Sequence, residues 1–206
     1  MTTLAVFGGA VGVGLGLGLQ SIASNFISGI IILLDRSLTV GDFVELDDGQ
    51  SGFVREFRMR YAVLETYDGK DILVPNEKFI SSLMVNWTHK DPKQRYRVDF
   101  SVPYATDVRS LVEFIKVAVA EHEQVLSGPD VPLEERPDCE IDSFGDSGIN
   151  MFVEFWMIGI DDGKNRVGGD LMLIILETLR EHGIEIPFPQ REITILDGQV
   201  KQTTAV

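Results

Sequence analysis

From Met1 to Leu34 the sequence has no charged side chain, and its only polar ones are Thr2, Thr3, Gln20, Ser21, Ser24, Asn25 and Ser28. At about 1.5 Å per residue, a helix of that length exceeds a bilayer core of roughly 30 Å. A secretory signal would want a basic start, a shorter apolar core and a small-residue cleavage site, and no Lys or Arg precedes the run. Cysteine is almost missing. The lone Cys139 excludes an intramolecular disulfide and a cysteine-rich metal site, and it fits a reducing cytosol. Histidine is scarce too, and His89, His122 and His182 lie far apart with no metal-ligand spacing. Basic residues are outnumbered, 18 Lys and Arg against 32 Asp and Glu. The resulting net charge of -14 falls on residues 35 to 206 and excludes a nucleic-acid partner, which needs a basic footprint.

What the first segment does contain is glycine in a pattern. On a helix turning about 100° per residue, Gly8, Gly12 and Gly16 form one small-residue ridge and Ala10, Gly14 and Gly18 another. Between the ridges stand Val6, Val13, Leu17 and Gln20, and on the opposite side Leu4, Val11, Leu15 and Leu19. Glycine lowers helix propensity by about 1 kcal/mol relative to alanine, so this many in one helix need a packing reason, and close approach of neighbouring helices supplies it. A dimer needs one ridge, whereas a ring needs two. The ridges are separated by roughly 160° across the Val13 and Leu17 side, and a closed ring of n helices needs about 180° minus 360°/n. Trimers and tetramers fit poorly, and six, seven and eight subunits are not separated. Val13 and Leu17 then form two stacked aliphatic rings on the axis, a constriction that closes by dewetting. A glycine-rich transmembrane dimer is the plainer alternative. A dinucleotide-binding loop is excluded, since GVGLGLG has no register matching G-x-G-x-x-G.

Past Gln20 the period changes. Ser21, Ser24, Asn25 and Ser28 share one face and Ile22, Phe26, Ile30 and Leu33 the other, which predicts a bend near residues 18 to 21 and an interfacial helix. Asp35 and Arg36 mark the exit to water. Residues 38 to 88 read as short strands: Val40 to Leu46, Phe53 to Phe57, Ala62 to Thr66 and Ile72 to Val74, with a turn at Asp68 and Gly69 and a stop at Pro75 and Asn76. Arg55, Arg58 and Arg60 follow the apolar segment and either touch anionic headgroups or pair with Glu45, Glu56 or Asp47.

Residues 95 to 196 read as strand, helix, strand, strand, helix, strand: Tyr96 to Val102, Asp107 to about His122, Asp138 to Phe144, Asn150 to Ile160, Asn165 to His182, and Ile184 to Pro187. That order is ferredoxin-like. The acidic stretch from Gly128 to Pro137, with Asp161 and Asp162, reads as solvated loop carboxylates, since no Asp-x-Asp-x-Asp-Gly loop is present. No Ser, His and acid set has catalytic context, so neither an enzyme nor a cofactor is expected.

The stretch GLGLQSIASNFISGIIILLDRSLTVGDFVEL, then ETYDGKDILVPNEKFISSLMVNW and later GIEIPFPQ, resembles the small-conductance mechanosensitive channel family over residues 8 to 196. The resemblance implies a homoheptamer opened by membrane tension, in contact with membrane lipids, that releases ions and small solutes in hypo-osmotic shock. It implies a membrane pore helix followed by an α+β region: a kinked helix over 1–36, a small Sm-like β domain over 37–90, a ferredoxin-like α/β domain over 91–196 and a tail over 197–206.

By position, Val13 and Leu17 look like the family's two sealing residues, where leucine is usual at both, so the valine departs from the pattern. Ser21 stands where a glycine often serves as the kink, and Gly29 matches a second glycine. Ser37 and Leu38 replace the usual Pro-Phe, and a local change of chain direction is expected there. Family members carry at least two more transmembrane helices before this one, so the intact subunit is expected to be multi-pass in the inner (plasma) membrane, with its soluble domains cytoplasmic. The competing reading is a membrane-tethered oligomeric scaffold that does not conduct; such a tether has no need of two small ridges flanking an aliphatic stripe. An acidic vestibule would disfavour anions at low salt.

Overall fold

The computed structural model describes residues 2–161, 166–196 and 199–202, with side chains from residue 7 to residue 193. The chain divides into two compact units, Met1–Pro92 and Lys93–Val206.

The first unit begins with one helix, α1, from Thr2 to Asp35. It runs without interruption through residues 18 to 21, so the expected bend is not a break between two helices. No proline lies in this stretch to remove a backbone donor. The helix ends at Arg36, whose φ of 51° is left-handed and whose N–H reaches back to the Ile32 carbonyl at 3.0 Å. The direction change expected at Ser37 and Leu38 begins there, and Leu38 turns into the core, 3% exposed.

Strands β1 (Phe43–Leu46), β2 (Ser51–Phe57), β3 (Tyr61–Glu65) and β4 (Asp71–Pro75) follow, then a short helix α2 (Asn76–Ser81) and strand β5 (Met84–Asn86). The sheet order is β4-β3-β2-β1-β5, with antiparallel pairing throughout. The turn between β3 and β4 is where it was expected: Gly69 has φ 75° and donates to the Thr66 carbonyl at 2.9 Å. Pro75 ends its strand and leads directly into α2. Neither α2 nor β5 was predicted. The core of this unit gathers Leu38, Val44, Leu46, Val54, Ala62, Leu64, Val74 and Phe79 around Ile32 of α1.

The second unit contains β6 (Lys93–Val102), α3 (Val108–Ala120), β7 (Asp138–Phe144), β8 (Ile149–Ile158), α4 (Val167–Glu181), β9 (Ile193–Leu196) and β10 (Gln199–Gln202). The main sheet has the antiparallel order β6-β8-β7. Asp107 caps α3, accepting from the Ser110 amide at 3.4 Å and the Ser110 hydroxyl at 2.6 Å. From α3, Leu111, Ile115 and Val119 are buried with Leu171, Ile175 and Leu179 of α4 against Val98, Val153, Phe155 and Met157 of the sheet. Gly183, at φ 67°, closes α4 as expected.

Two sequence readings are corrected here. The last strand of the ferredoxin-like order, Ile184 to Pro187, carries no strand pairing. Pro187 and Pro189 lack the N–H a ladder needs, and Ile184 packs on the core instead. Residues 197 to 206 are not only a tail, because β10 lies within them and pairs with β9.

Candidate functional site

The predicted pore residues lie on a part of α1 that is exposed throughout, from residue 7 to residue 20. Val13 is 64% exposed and Leu17 67%, and Phe7, Val11, Leu15 and Leu19 are exposed as well. A Cβ added at Gly8, Gly12, Gly14, Gly16 or Gly18 would meet no described atom within 4 Å beyond the local helix. Ala10 and Gln20 are exposed on the same stretch. The glycines are therefore not explained by contacts inside the subunit. A row of large apolar side chains left uncovered has to be met by lipid or by other protein. Phe7–Asp35 is long and apolar enough to cross a membrane.

The second half of the same helix is held. Asn25 donates to the Ser21 carbonyl at 2.9 Å, and its own Oδ1 accepts the Glu77 amide at 3.1 Å. Asn76, the first residue of α2, is fully buried. Its Nδ2 donates to the Arg58 carbonyl at 3.0 Å and more weakly to the Asn25 carbonyl at 3.4 Å, while its amide donates to the Arg60 carbonyl at 3.0 Å.

Gly29 sits against this asparagine. A Cβ there would lie 2.5 Å from Asn76 Nδ2 and 3.1 Å from the Met59 carbonyl oxygen. Gly29, predicted as a hinge, has a different visible reason for being glycine, namely close approach of the helix to the β domain. Ser21 lies one turn before Asn25 in continuous helix, with its carbonyl taken by that side chain.

The polar face is thus turned inward from Ser24 to Ser28, while Ser21 stays exposed. Ser28 is buried and Ser24 and Asn25 half-buried, whereas Ile22, Phe26, Ile30 and Leu33 are exposed. Sequence periodicity found the two faces but not this orientation. The inward partners are the Glu77 amide and the Asn76 side chain, about fifty residues away, which leave no mark in the sequence. A signal was present in Asn25 and Gly29, one turn apart, pairing a side chain that bonds backbone with a residue that permits close approach.

Beyond α1, a second polar cluster closes the β domain. Asp42 is buried at 6% exposure. It accepts from the Thr39 amide and hydroxyl, each at 2.9 Å, and from Asn86 Nδ2 at 2.8 Å, with the His89 imidazole 3.8 Å away. Burial pushes this carboxyl up, but those hydrogen bonds and the histidine together outweigh it and hold the pKa below its ordinary value. Cys139 is buried, and loss of water pushes its thiol up to about 12, which makes it a poor nucleophile. Asp161, one of the loop carboxylates, accepts the Gly168 amide at 3.0 Å at the start of α4, and Asp162 lies outside the described residues. Among the described residues no three His, Cys, Asp or Glu side chains come together as a metal site.

An uncovered apolar helix with two small-residue ridges, leading into a β domain and an α/β domain, defines a class of membrane protein that meets its surroundings through that helix. The profile of the mechanosensitive ion channel β domain matches residues 21–89, and that of the C-terminal domain of the mechanosensitive ion channel MscS matches residues 96–186. An MscS family protein of Archaeoglobus fulgidus is 32% identical over 193 residues, which cover 94% of this chain and 65% of that one. The mechanosensitive channel MscK of Escherichia coli is 30% identical over 96% of this chain and 17% of its own length. The crystal structure of Helicobacter pylori MscS in its closed state superposes with a TM-score of 0.81 at 26% identity, over 95% of this chain and 74% of that one. The chain belongs to the mechanosensitive ion channel family, and it spans just under two thirds of the length of its Archaeoglobus relative.

Proposed function

We propose that the intact protein is the subunit of an ion channel opened by membrane tension, which assembles as a homoheptamer in the inner membrane and releases ions and small solutes in hypo-osmotic shock. The observation that carries this reading is the stretch from Phe7 to Gln20, apolar, glycine-ridged and left exposed among the described residues. In the ring, Gly8, Gly12 and Gly16 of one helix approach Ala10, Gly14 and Gly18 of the next. Val13 and Leu17, about 6 Å apart along the axis, narrow the pore as two apolar rings, with Gln20 below them. When tension widens the ring, these side chains separate and the pore wets. Ser21 marks where this free stretch gives way to the docked one, and motion between the two halves is centred there, while Gly29 keeps the lower half close to the β domain.

The test is a patch recording of the full-length protein with Leu17→Ser. A hydroxyl in the narrow ring removes the dewetting barrier, so the variant opens at lower tension than the wild type and leaks at rest. Unchanged threshold and leak would place the constriction elsewhere.

A further inference from the structure

Strand β6 lies at one end of the sheet order β6-β8-β7, and among the described residues no strand pairs with its other edge. In a ferredoxin-like sheet the last strand closes that side, lying beside the first. Ile184 to Pro187, which would do so, carries no pairing, and residues Val98 to Ser101 border a groove instead of a strand. The groove, of about 380 Å³, runs between this edge and α4, and Phe100, Met172, Leu173, Leu176 and Ile186 give it an apolar lining. Met172, Leu173 and Ile186 are 57%, 59% and 57% exposed. An open edge beside an uncovered apolar wall is what an added strand requires, since the edge supplies backbone partners and the wall supplies burial.

The same unit holds a strand in need of such a place. Among the described residues β9 and β10 pair only with each other, from Ile193 with Gln202 to Leu196 with Gln199. A two-stranded ribbon on its own is barely stable in water and holds when further strands or an apolar surface join it. β9 reads Ile193-Thr194-Ile195-Leu196, mostly apolar, and Ile193 is exposed. Its own β6 is not where it goes. Pro187 lies against Gly148, where a Cβ would come within 2.9 Å of the proline ring, and the Gln190 amide donates to Ser147 Oγ at 3.1 Å, so the chain is tied to the β7–β8 turn before the ribbon begins. An open edge and an unsupported strand that do not meet within one chain are complementary between two copies.

We propose that β9 of one copy adds to the open edge of β6 in the next, between Val98 and Ser101, and buries Met172, Leu173, Leu176 and Ile186 of that copy. Each copy then gives one strand and receives one, a head-to-tail contact that repeats around a ring. The inference rests on the assembly of copies put forward above and not on conduction.

Full-length chains bearing Asp99→Cys and Thr194→Cys, each with its own tag, are co-expressed and treated with a flexible bismaleimide, the native Cys139 being buried. A product carrying both tags is expected on a denaturing gel, and neither variant alone gives a comparable one. Met172→Lys puts a charge into the groove and is expected to lower the yield about tenfold. Val117→Lys, exposed on α3 and outside the groove lining, is expected to leave it unchanged. A dominant product from Thr194→Cys alone would mean that the ribbons meet one another, and reaction confined within a chain carrying both cysteines would mean that β9 closes on its own sheet; either overturns the proposal. Mass spectrometry of the intact complex in the same sample separates the two readings. Absence of an oligomer overturns the assembly and this contact together, whereas an intact oligomer without the two-tag product overturns this contact alone.

Discussion

The two halves of α1 are built alike and treated differently. Both are apolar, uncharged and helical, yet residues 7 to 20 are all exposed, while residues 25 to 32 are fixed by hydrogen bonds and a buried isoleucine. Glycine serves each half for a different reason. In the upper half it meets open space, which in the proposed ring is room for a neighbouring helix; in the lower half, at Gly29, it leaves room for Asn76 inside the chain. One residue type therefore reports on assembly at one end and on docking at the other, and substitution separates the two.

The sharpest separation comes from valine at each place. Gly29→Val drives its side chain into Asn76 and the Met59 carbonyl, and overpacking of this kind costs about 1–3 kcal/mol. The thermal midpoint of the detergent-solubilised chain, followed by circular dichroism, is expected to fall accordingly. Gly12→Val meets open space, so the midpoint of the isolated subunit stays put. Its effect is expected in assembly, as loss of the large oligomer in mass spectrometry that keeps complexes intact. A fall in subunit stability with Gly12→Val, or none with Gly29→Val, would erase the distinction.

A smaller effect tests the polar side of the dock. Asn25→Ala removes the acceptor of the Glu77 amide and a donor to the Ser21 carbonyl, with an expected loss of about 1–2 kcal/mol in the same measurement. Ser24→Ala, half-buried on the same face, serves as the comparison and should cost less.

What the sequence made legible follows from the range of the interactions. The ridges of α1 and the faces of α3 are helical periodicities, set within a turn or two. The turn at Gly69 and the stop at Gly183 are local demands on φ, and both stand where they were read. Short elements carry too few residues for a period: α2 has six and β5 three, and neither was seen. The inward turn of Ser24, Asn25 and Ser28 was illegible for another reason, since serine and asparagine beside an apolar stripe are what a water-facing surface also requires. Only the fold brings the Glu77 amide and the Asn76 side chain to that face. Ile184 to Pro187 misled through its apolar residues, although Pro187 already argued against a ladder.

The smallest expected effect concerns the Asp42 clasp, which shares no hydrogen-bond partner with the helix dock among the described residues and so tests whether that dock fails separately in acid. The folded pKa of Asp42 lies below its ordinary 3.8. A depressed carboxylate stabilises the fold fully above the unfolded value, and that contribution is lost as pH falls through the folded one. Between about pH 5 and pH 3 the wild type is expected to lose midpoint faster than Asp42→Asn, whose amide does not titrate in this range. Above pH 5 the variant should be the less stable of the two, because the amide reproduces only part of the acceptor set that serves Thr39 and Asn86. The two curves therefore converge on acidification. Combining the variant with Asn25→Ala then shows whether clasp and dock are independent: additive losses at pH 7 mean that each is held on its own, and a loss larger than the sum means that loosening the clasp loosens the helix.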